Sequence, residues 1–221
     1  MHIEPGIVTG AKIVLSYATA ATAGLYTLKI AAQAVREQGP VSLIARAAIA
    51  TGAVFTFFQI LPHHAVGVSE VHLILGSTLF LLLGAAPAAI GLALGLLIQG
   101  LFFAPFDLPQ YGMNVTTLLV PLFGLQLLAK RLIAPGTAYV DLKYGQALAL
   151  STAYQGGIVA WVAFWALYGQ GFAEVGQVLT FGAAYMSVIL LEPLVDLAVL
   201  ALAKRASALR GSGFVTPRLY A

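Results

Sequence analysis

Seven predominantly apolar segments dominate this chain, and they constrain its fold more than any other feature. A bilayer core about 30 Å thick is crossed by roughly 17–25 mostly apolar residues in helical form. The segments run over residues 7–34, 41–61, 71–84, 87–103, 115–128, 144–168 and 175–203, the third being short. Breakers separate them: Gly39-Pro40, Pro62, Pro87, Pro105, Pro109, Pro135-Gly136 and the glycines at 169 and 171. The link from Gly84 to Pro87 is tight enough that segments three and four are expected to form a helical hairpin. The expected fold is an all-α integral membrane protein of about seven transmembrane helices, with residues 1–221 forming a single transmembrane domain.

Composition closes the other routes. Only 9% of residues are charged while 60% are hydrophobic, whereas soluble domains carry roughly 25% charged residues. A soluble enzyme and a DNA-binding domain are excluded on that ground. The absence of cysteine removes disulfides, zinc-finger clusters, iron–sulfur centres and thiol catalysis. The net charge of +3 reads as an orientation signal and not as a nucleic-acid footprint. One set of connections is basic: the link with Arg36 and Arg46, the link with Lys130, Arg131 and Lys143, and the tail with Lys204, Arg205, Arg210 and Arg218. The alternate set holds Glu4, Glu70, Asp107 and Glu174, with only Lys12 just inside the first segment. The positive-inside rule then places the N-terminus outside and the C-terminus in the cytoplasm, a parity that seven spans satisfy. The first segment is too long for a signal peptide and lacks a positive flank, so residues 1–6 are expected to stay on the mature chain.

All four histidines (His2, His63, His64 and His72) fall on the outer side, beside Glu4, Glu70 and Asp107. Met1-His2 offers a terminal amine, a peptide nitrogen and an imidazole that can close consecutive chelate rings around one metal. Such nitrogen donors prefer a flat arrangement, which suits Ni(II), Cu(II) or low-spin Co(II). Amine and imidazole are neutral donors near pH 7, while the peptide nitrogen must lose its proton, making binding pH-dependent. The same residues also read as a polar terminus. His63 and His64, neighbours in a loop, read either as weaker metal candidates or as a polar pair at the membrane interface. His72, placed at the start of a helix, reads either as a further ligand or as a residue hydrogen-bonded to Glu70 or Ser69.

From Met1-His2-Ile3-Glu4-Pro5-Gly6, and again from Ser69 to Asn114, the chain resembles the substrate-binding membrane (S) components of nickel and cobalt energy-coupling factor transporters, the CbiM/NikM family. The later elements are His72-Leu73-Ile74-Leu75-Gly76, Gly84-Ala85-Ala86-Pro87, Leu97-Ile98-Gln99-Gly100-Leu101-Phe102 and Gly112-Met113-Asn114. The resemblance covers about half the chain, and the last three spans match mainly in hydropathy. It implies a seven-helix fold in which Met1 (amine), His2 (amide nitrogen and imidazole) and His72 (imidazole) hold the transported Co(II) or Ni(II). It puts Gln99 and Asn114 near the site as polar support, where interhelical hydrogen bonding is their other use. The family's usual order after Met-His-Ile is inverted in Glu4-Pro5, and Val68-Ser69-Glu70-Val71 replaces a Gly/Ser/Thr-rich stretch, which sets Glu70 close to His72.

Within the seventh segment, Glu192 and Asp196 share one helical face on either side of Pro193. They read as a structural network, or as a proton relay or a contact with a coupling partner. Gly91-x-x-x-Gly95 and the small residues of the first segment permit close helix packing. No phosphate-binding loop, G-x-S-x-G or H-E-x-x-H occurs, so an ATPase would be a separate subunit and the chain is expected not to be an enzyme. The resemblance implies a transmembrane coupling subunit, two cytoplasmic ATPase subunits and a small accessory membrane subunit as partners, in a bacterial inner membrane. No resident cofactor and no nucleic acid are expected. Two rivals remain: an intramembrane zinc enzyme built from His63, His64, His72 and Glu70, and a proton-coupled metal transporter using Glu192 and Asp196.

Overall fold

The computed structural model describes residues 2–220. Seven α-helices follow one another: α1 (Ile13–Gln38), α2 (Pro40–Gln59), α3 (Gly76–Leu83), α4 (Ala85–Phe102), α5 (Tyr111–Leu132), α6 (Tyr144–Gln170) and α7 (Val175–Arg205). The breakers act where the sequence places them. Gly39, at φ 82°, ends α1 by donating its N–H to Val35 at 2.8 Å, and Pro40 opens α2 at the position where a missing N–H costs nothing. Gly84 alone, at φ 91°, joins α3 to α4.

The third segment departs from expectation. It was expected to be helical over 71–84 with His72 at its start, but α3 begins only at Gly76 and has eight residues. Such a helix is about 12 Å long, well short of a bilayer core. In place of the missing turns lies a hairpin of β1 (His64–Val66) and β2 (Ser69–Val71), paired antiparallel with Ala65 opposite Glu70. Residues 72–75 then run non-helically to α3. The cause sits on α7. Glu192 Oε1 accepts the backbone N–H groups of Ile74 at 2.7 Å and Leu75 at 2.9 Å, and Leu75 is held in the left-handed region at φ 54°. A carboxyl group that takes two successive amides just ahead of Gly76 holds the chain there out of helix.

Among the described residues five segments are long and apolar enough to cross a membrane: Gly10–Gln38, Pro40–Gln59, Ala85–Phe102, Pro105–Leu132 and Tyr144–Arg205, the last spanning both α6 and α7. Polarity is distributed as a bilayer requires. Leu25, Leu28, Ile44, Leu179, Leu190 and Leu202 face outward, while Arg46, Asn114, Gln155, Glu192 and Asp196 are buried. Each of those buried groups is expected to find a partner inside. Gln155 bonds to Glu192 and Thr78 to Asp196, and Arg46 Nη1 donates to the Leu83 carbonyl at 2.7 Å. Gly91 and Gly95 sit against Ala50 and Val54 of α2, where a Cβ would overlap those residues. That close approach is the packing role expected of small residues.

The connections gather at two ends of the bundle. Residues 2–8 meet the hairpin, the 3-10 segment Pro105–Gln110 and the end of α6, where Lys12 Nζ donates to the carbonyls of Tyr168 and Gly169 at 3.0 and 2.9 Å. At the other end the C-terminal tail crosses the remaining links: Ser42 donates to the Gly213 carbonyl, Thr216 N–H to Leu82, and Arg218 to Ala134. Lys204 pairs with Asp141 at 2.6 Å at this same end. The acidic and basic connections distinguished in the sequence therefore separate in space.

Candidate metal centre

The site is built from backbone outward. Residues 2–4 lie against β2 as a third, irregular strand: Ile3 bridges Ser69 antiparallel, Glu70 N–H donates to His2 O at 3.2 Å, and Glu4 N–H to Val68 O at 3.2 Å. Ser69 Oγ donates to His2 O at 2.9 Å. From α5, Asn114 Oδ1 accepts the Ile3 N–H at 2.9 Å. Ile3 itself is fully buried with Val8, Met113 and Trp165. Hydrogen bonds and an apolar anchor thus draw the N-terminal segment into the bundle. A net 0.5–1.5 kcal/mol is typical for each such bond.

This placement buries His2 and brings it to His72, which leaves β2 and lies at the start of the 72–75 strap. Their rings meet edge to face with centroids 5.8 Å apart. Between them reaches Glu70, whose Oε2 stands 2.8 Å from His2 Nδ1 and 2.8 Å from His72 Nε2. Asp107, buried in the 3-10 segment, places Oδ2 at 3.4 Å from His2 Nδ1. One atom from each of His2, Glu70 and His72 lies within 4.8 Å of the others, the spacing of a group that could hold a metal ion.

Electrostatics favour cation binding. Burial alone would push the Glu70 carboxyl up, but the hydrogen bonds from His2 and His72 outweigh it and hold Glu70 well below the usual carboxylate range. Burial pushes His72 down to about 3, against the pull of Glu70. Glu4 moves up, through burial and then through the nearby charges of Glu70 and Asp107. An ionised carboxylate beside a neutral imidazole is the donor state that a divalent cation needs. The far nitrogens, His2 Nε2 and His72 Nδ1, have no partner among the described residues.

The other expected site residues are placed differently. Met1 lies outside the described residues. His63 stacks flat on His72 at 4.9 Å with its Nδ1 toward the Leu61 carbonyl, and His64 lies exposed on β1 opposite Val71. Neither joins the cluster. Gln99 is buried on α4, but among the described residues no hydrogen bond ties it to His2, Glu70 or His72. Asp107 is the group that sequence reasoning left out of the site. Its signal was present: an acid between Pro105 and Pro109 on a connection without Lys or Arg.

Comparison with known proteins gives two matches. The family model CbiM, described as a cobalt uptake substrate-specific transmembrane region, matches residues 2–209. A solved structure described as a truncated transition metal transporter superposes with a TM-score of 0.62 at 18% identity, over 93% of this chain and 97% of the other. At that identity the likeness speaks for the fold. No curated protein matches the chain.

Proposed function

This chain belongs to the CbiM family of cobalt uptake substrate-specific transmembrane regions, and from that premise we propose that it is the metal-capturing subunit of an ATP-driven energy-coupling factor transporter that imports Co(II) or Ni(II). As a member of that family it is a multi-pass membrane component of metal uptake whose substrate is a metal ion. The single observation that carries the finer reading is the meeting of buried His2 and His72 around one carboxylate oxygen, 2.8 Å from each. Cargo is held by the Met1 amine and the nitrogens of His2 and His72, a set that prefers a near-planar field. Asn114, Glu70 and Gln99 surround it. Asn114 supports the site most directly, because it fixes the peptide on which His2 is carried.

The orientation follows the charges: N-terminus and site outside, basic links and tail in the cytoplasm of a bacterial inner membrane, with the chain passing seven times between the two ends and the third passage made by the non-helical strap 72–75 together with the short α3. The partners are a transmembrane coupling subunit, two cytoplasmic ATPase subunits and a small accessory membrane subunit. Release requires His2 and His72 to part. The hydrogen bonds tying residues 2–4 to the hairpin and to Asn114 make a latch of modest strength, which a movement driven by ATP hydrolysis can open. Neither an intramembrane zinc enzyme nor a proton-coupled carrier draws support from the family.

The test is metal binding by the purified chain. His2→Ala, His72→Ala and a one-alanine N-terminal extension are each expected to abolish stoichiometric, tight binding of Co(II) and Ni(II). Retained binding in all three overturns the ligand assignment. Uptake that persists when the ATPase subunits are inactivated overturns the coupling.

A further inference from the structure

At the basic end of the bundle, away from the metal centre, a buried arginine carries a charge that no described residue balances. Arg46 on α2 is 1% exposed. Its guanidinium donates to two backbone carbonyls, Leu83 at 2.7 Å and Ser42 at 3.3 Å, and Nη2 has no partner among the described residues. The ion pairs among those residues do not include it. A buried cation without a counter-charge is costly, and the cavity that Arg46 lines offers the space for one, about 180 Å³ between the ends of α1, α4 and α5. We infer that this cavity binds the phosphate of an anionic phospholipid, with an acyl chain lying in the groove between the same three helices. The inference rests on nothing at the metal centre and needs only that the chain spans a membrane.

The donors suit a phosphate. A guanidinium with a free N–H is the side chain best matched to phosphate oxygens. Lys130 of α5 lines the cavity and also an adjoining one of about 450 Å³, to which the tail adds Arg218. Arg218 Nε also has no partner among the described residues. Ala85 and Ala86 open α4 on the same wall, and the first N–H groups of a helix have no partner within it and lie at its positive end. One acid, Glu37, lines the two cavities; it is exposed at the rim and takes a hydrogen bond from Gln33 at 2.9 Å. Three cations against one carboxylate favour an anion.

The neighbouring surface separates a lipid from a free anion. Toward the middle of the bundle the same helices line an apolar groove of about 430 Å³, with Gly24 and Leu28 on α1, Ile90 and Leu94 on α4, and Val115 and Leu119 on α5. Leu28 and Leu94 are exposed there. Groove and cavity share helix faces: Thr27 and Ala34 are seven residues apart on α1, Ala86 and Ile90 four apart on α4, and Leu119 and Gln126 seven apart on α5. From Gln126 back to Val115, α5 rises about 16 Å, close to one leaflet of a hydrocarbon core about 30 Å thick. Cationic donors at the end of an apolar furrow one leaflet long match a phospholipid, and basic pockets between transmembrane helices recognise anionic head groups in this way.

The experiment uses the full-length purified chain, stripped of lipid in detergent, and reads bound lipid by native mass spectrometry and the melting temperature as lipid is added back. Phosphatidylglycerol, phosphatidylcholine and inorganic phosphate are the probes. The wild type is expected to retain one phosphatidylglycerol and to melt higher as it is added, to bind phosphatidylcholine roughly fivefold or more less tightly for the lost net charge, and to respond to inorganic phosphate only at far higher concentration. Lys130→Gln removes an exposed charge and is expected to weaken phosphatidylglycerol binding roughly fivefold. Gly24→Leu fills the groove at a position where a Cβ meets nothing within 4 Å, and is expected to abolish the advantage of phosphatidylglycerol over inorganic phosphate. Both variants are expected to keep wild-type Co(II) affinity, which shows that the fold survives. Phosphatidylcholine bound as tightly as phosphatidylglycerol, or phosphatidylglycerol affinity unchanged in Lys130→Gln, overturns the head-group site. Phosphatidylglycerol affinity unchanged in Gly24→Leu, or inorganic phosphate as effective as phosphatidylglycerol on the wild type, overturns the lipid as occupant.

Discussion

Glu192 offers the sharpest test of how the bundle holds its site. Its carboxyl group lies fully buried on α7 and accepts three donors: the Ile74 and Leu75 amides at 2.7 and 2.9 Å, and Gln155 Nε2. Replacing it with leucine keeps much of the volume and leaves all three donors without an acceptor. A buried donor stripped of its partner costs about 1–3 kcal/mol. In membranes the measured worth of such bonds averages nearer 0.6 kcal/mol, roughly, because the unfolded helices also find partners. Taking both into account, the expected loss for Glu192→Leu is about 2–6 kcal/mol. For a chain of this size that is a fall in melting temperature of roughly 5–20 °C.

Glu192→Gln separates the carboxyl from the acceptor. Its amide oxygen can still take the Ile74 and Leu75 N–H groups. Its new NH2 faces Gln155, whose own side-chain oxygen has no partner among the described residues and can turn to accept it. The expected cost is under about 1.5 kcal/mol. Tryptophan fluorescence from Trp161 and Trp165 reports the melt in detergent, and Co(II) affinity is measured below it. Because Glu192 holds residues 74 and 75, Glu192→Leu is also expected to weaken Co(II) binding through displacement of His72 at temperatures where the fold survives. If Glu192→Leu melts within experimental error of wild type, the carboxyl does not hold the strap and this account of α3 is wrong. If Glu192→Gln is as damaged as Glu192→Leu, acceptance by Oε1 is not the operative contact.

Other substitutions probe the remaining contacts. Asn114→Ala leaves the buried Ile3 N–H without its acceptor and should lower Co(II) affinity by roughly 10–100-fold, read by competition against a chelator, with a smaller fall in the melt than Glu192→Leu because one donor is stripped instead of three. Gly91→Ala drives a Cβ into Ala50 and the α2 backbone, with an expected cost of about 1–3 kcal/mol in thermal unfolding. His63→Ala removes a stacked ring and an exposed contact to the Leu61 carbonyl, so stoichiometric metal binding should remain; its loss would place His63 among the ligands. Lys12→Met deletes two exposed hydrogen bonds to the last carbonyls of α6 and should cost less than about 1 kcal/mol.

What could be read from the sequence divides by the range of the interaction that decides it. The helices were legible because a bilayer demands long apolar runs and because Gly39-Pro40 and Gly84 break the chain through their own backbone preferences. The separation of acidic from basic connections was legible for the same local reason. His72 was misplaced onto a helix because a short apolar run after Glu70 satisfies helix and strand equally. The deciding contact comes from Glu192, 118 residues beyond Ile74, and no local pattern contains it. The site shows the same division. His2 and His72 were singled out as nitrogen donors on the outer side and then by a resemblance, and their meeting depends on Ile3 reaching Asn114 across 111 residues. Asp107 carried no recognisable motif. It counts only because the 3-10 turn between Pro105 and Pro109 folds a buried acid back toward His2. A site assembled from the N-terminus, a hairpin and a turn, each fixed by partners on α5 or α7, can be taken apart by moving those helices. The long-range contacts that hid its geometry from the sequence are therefore the ones that any movement opening the site would have to break.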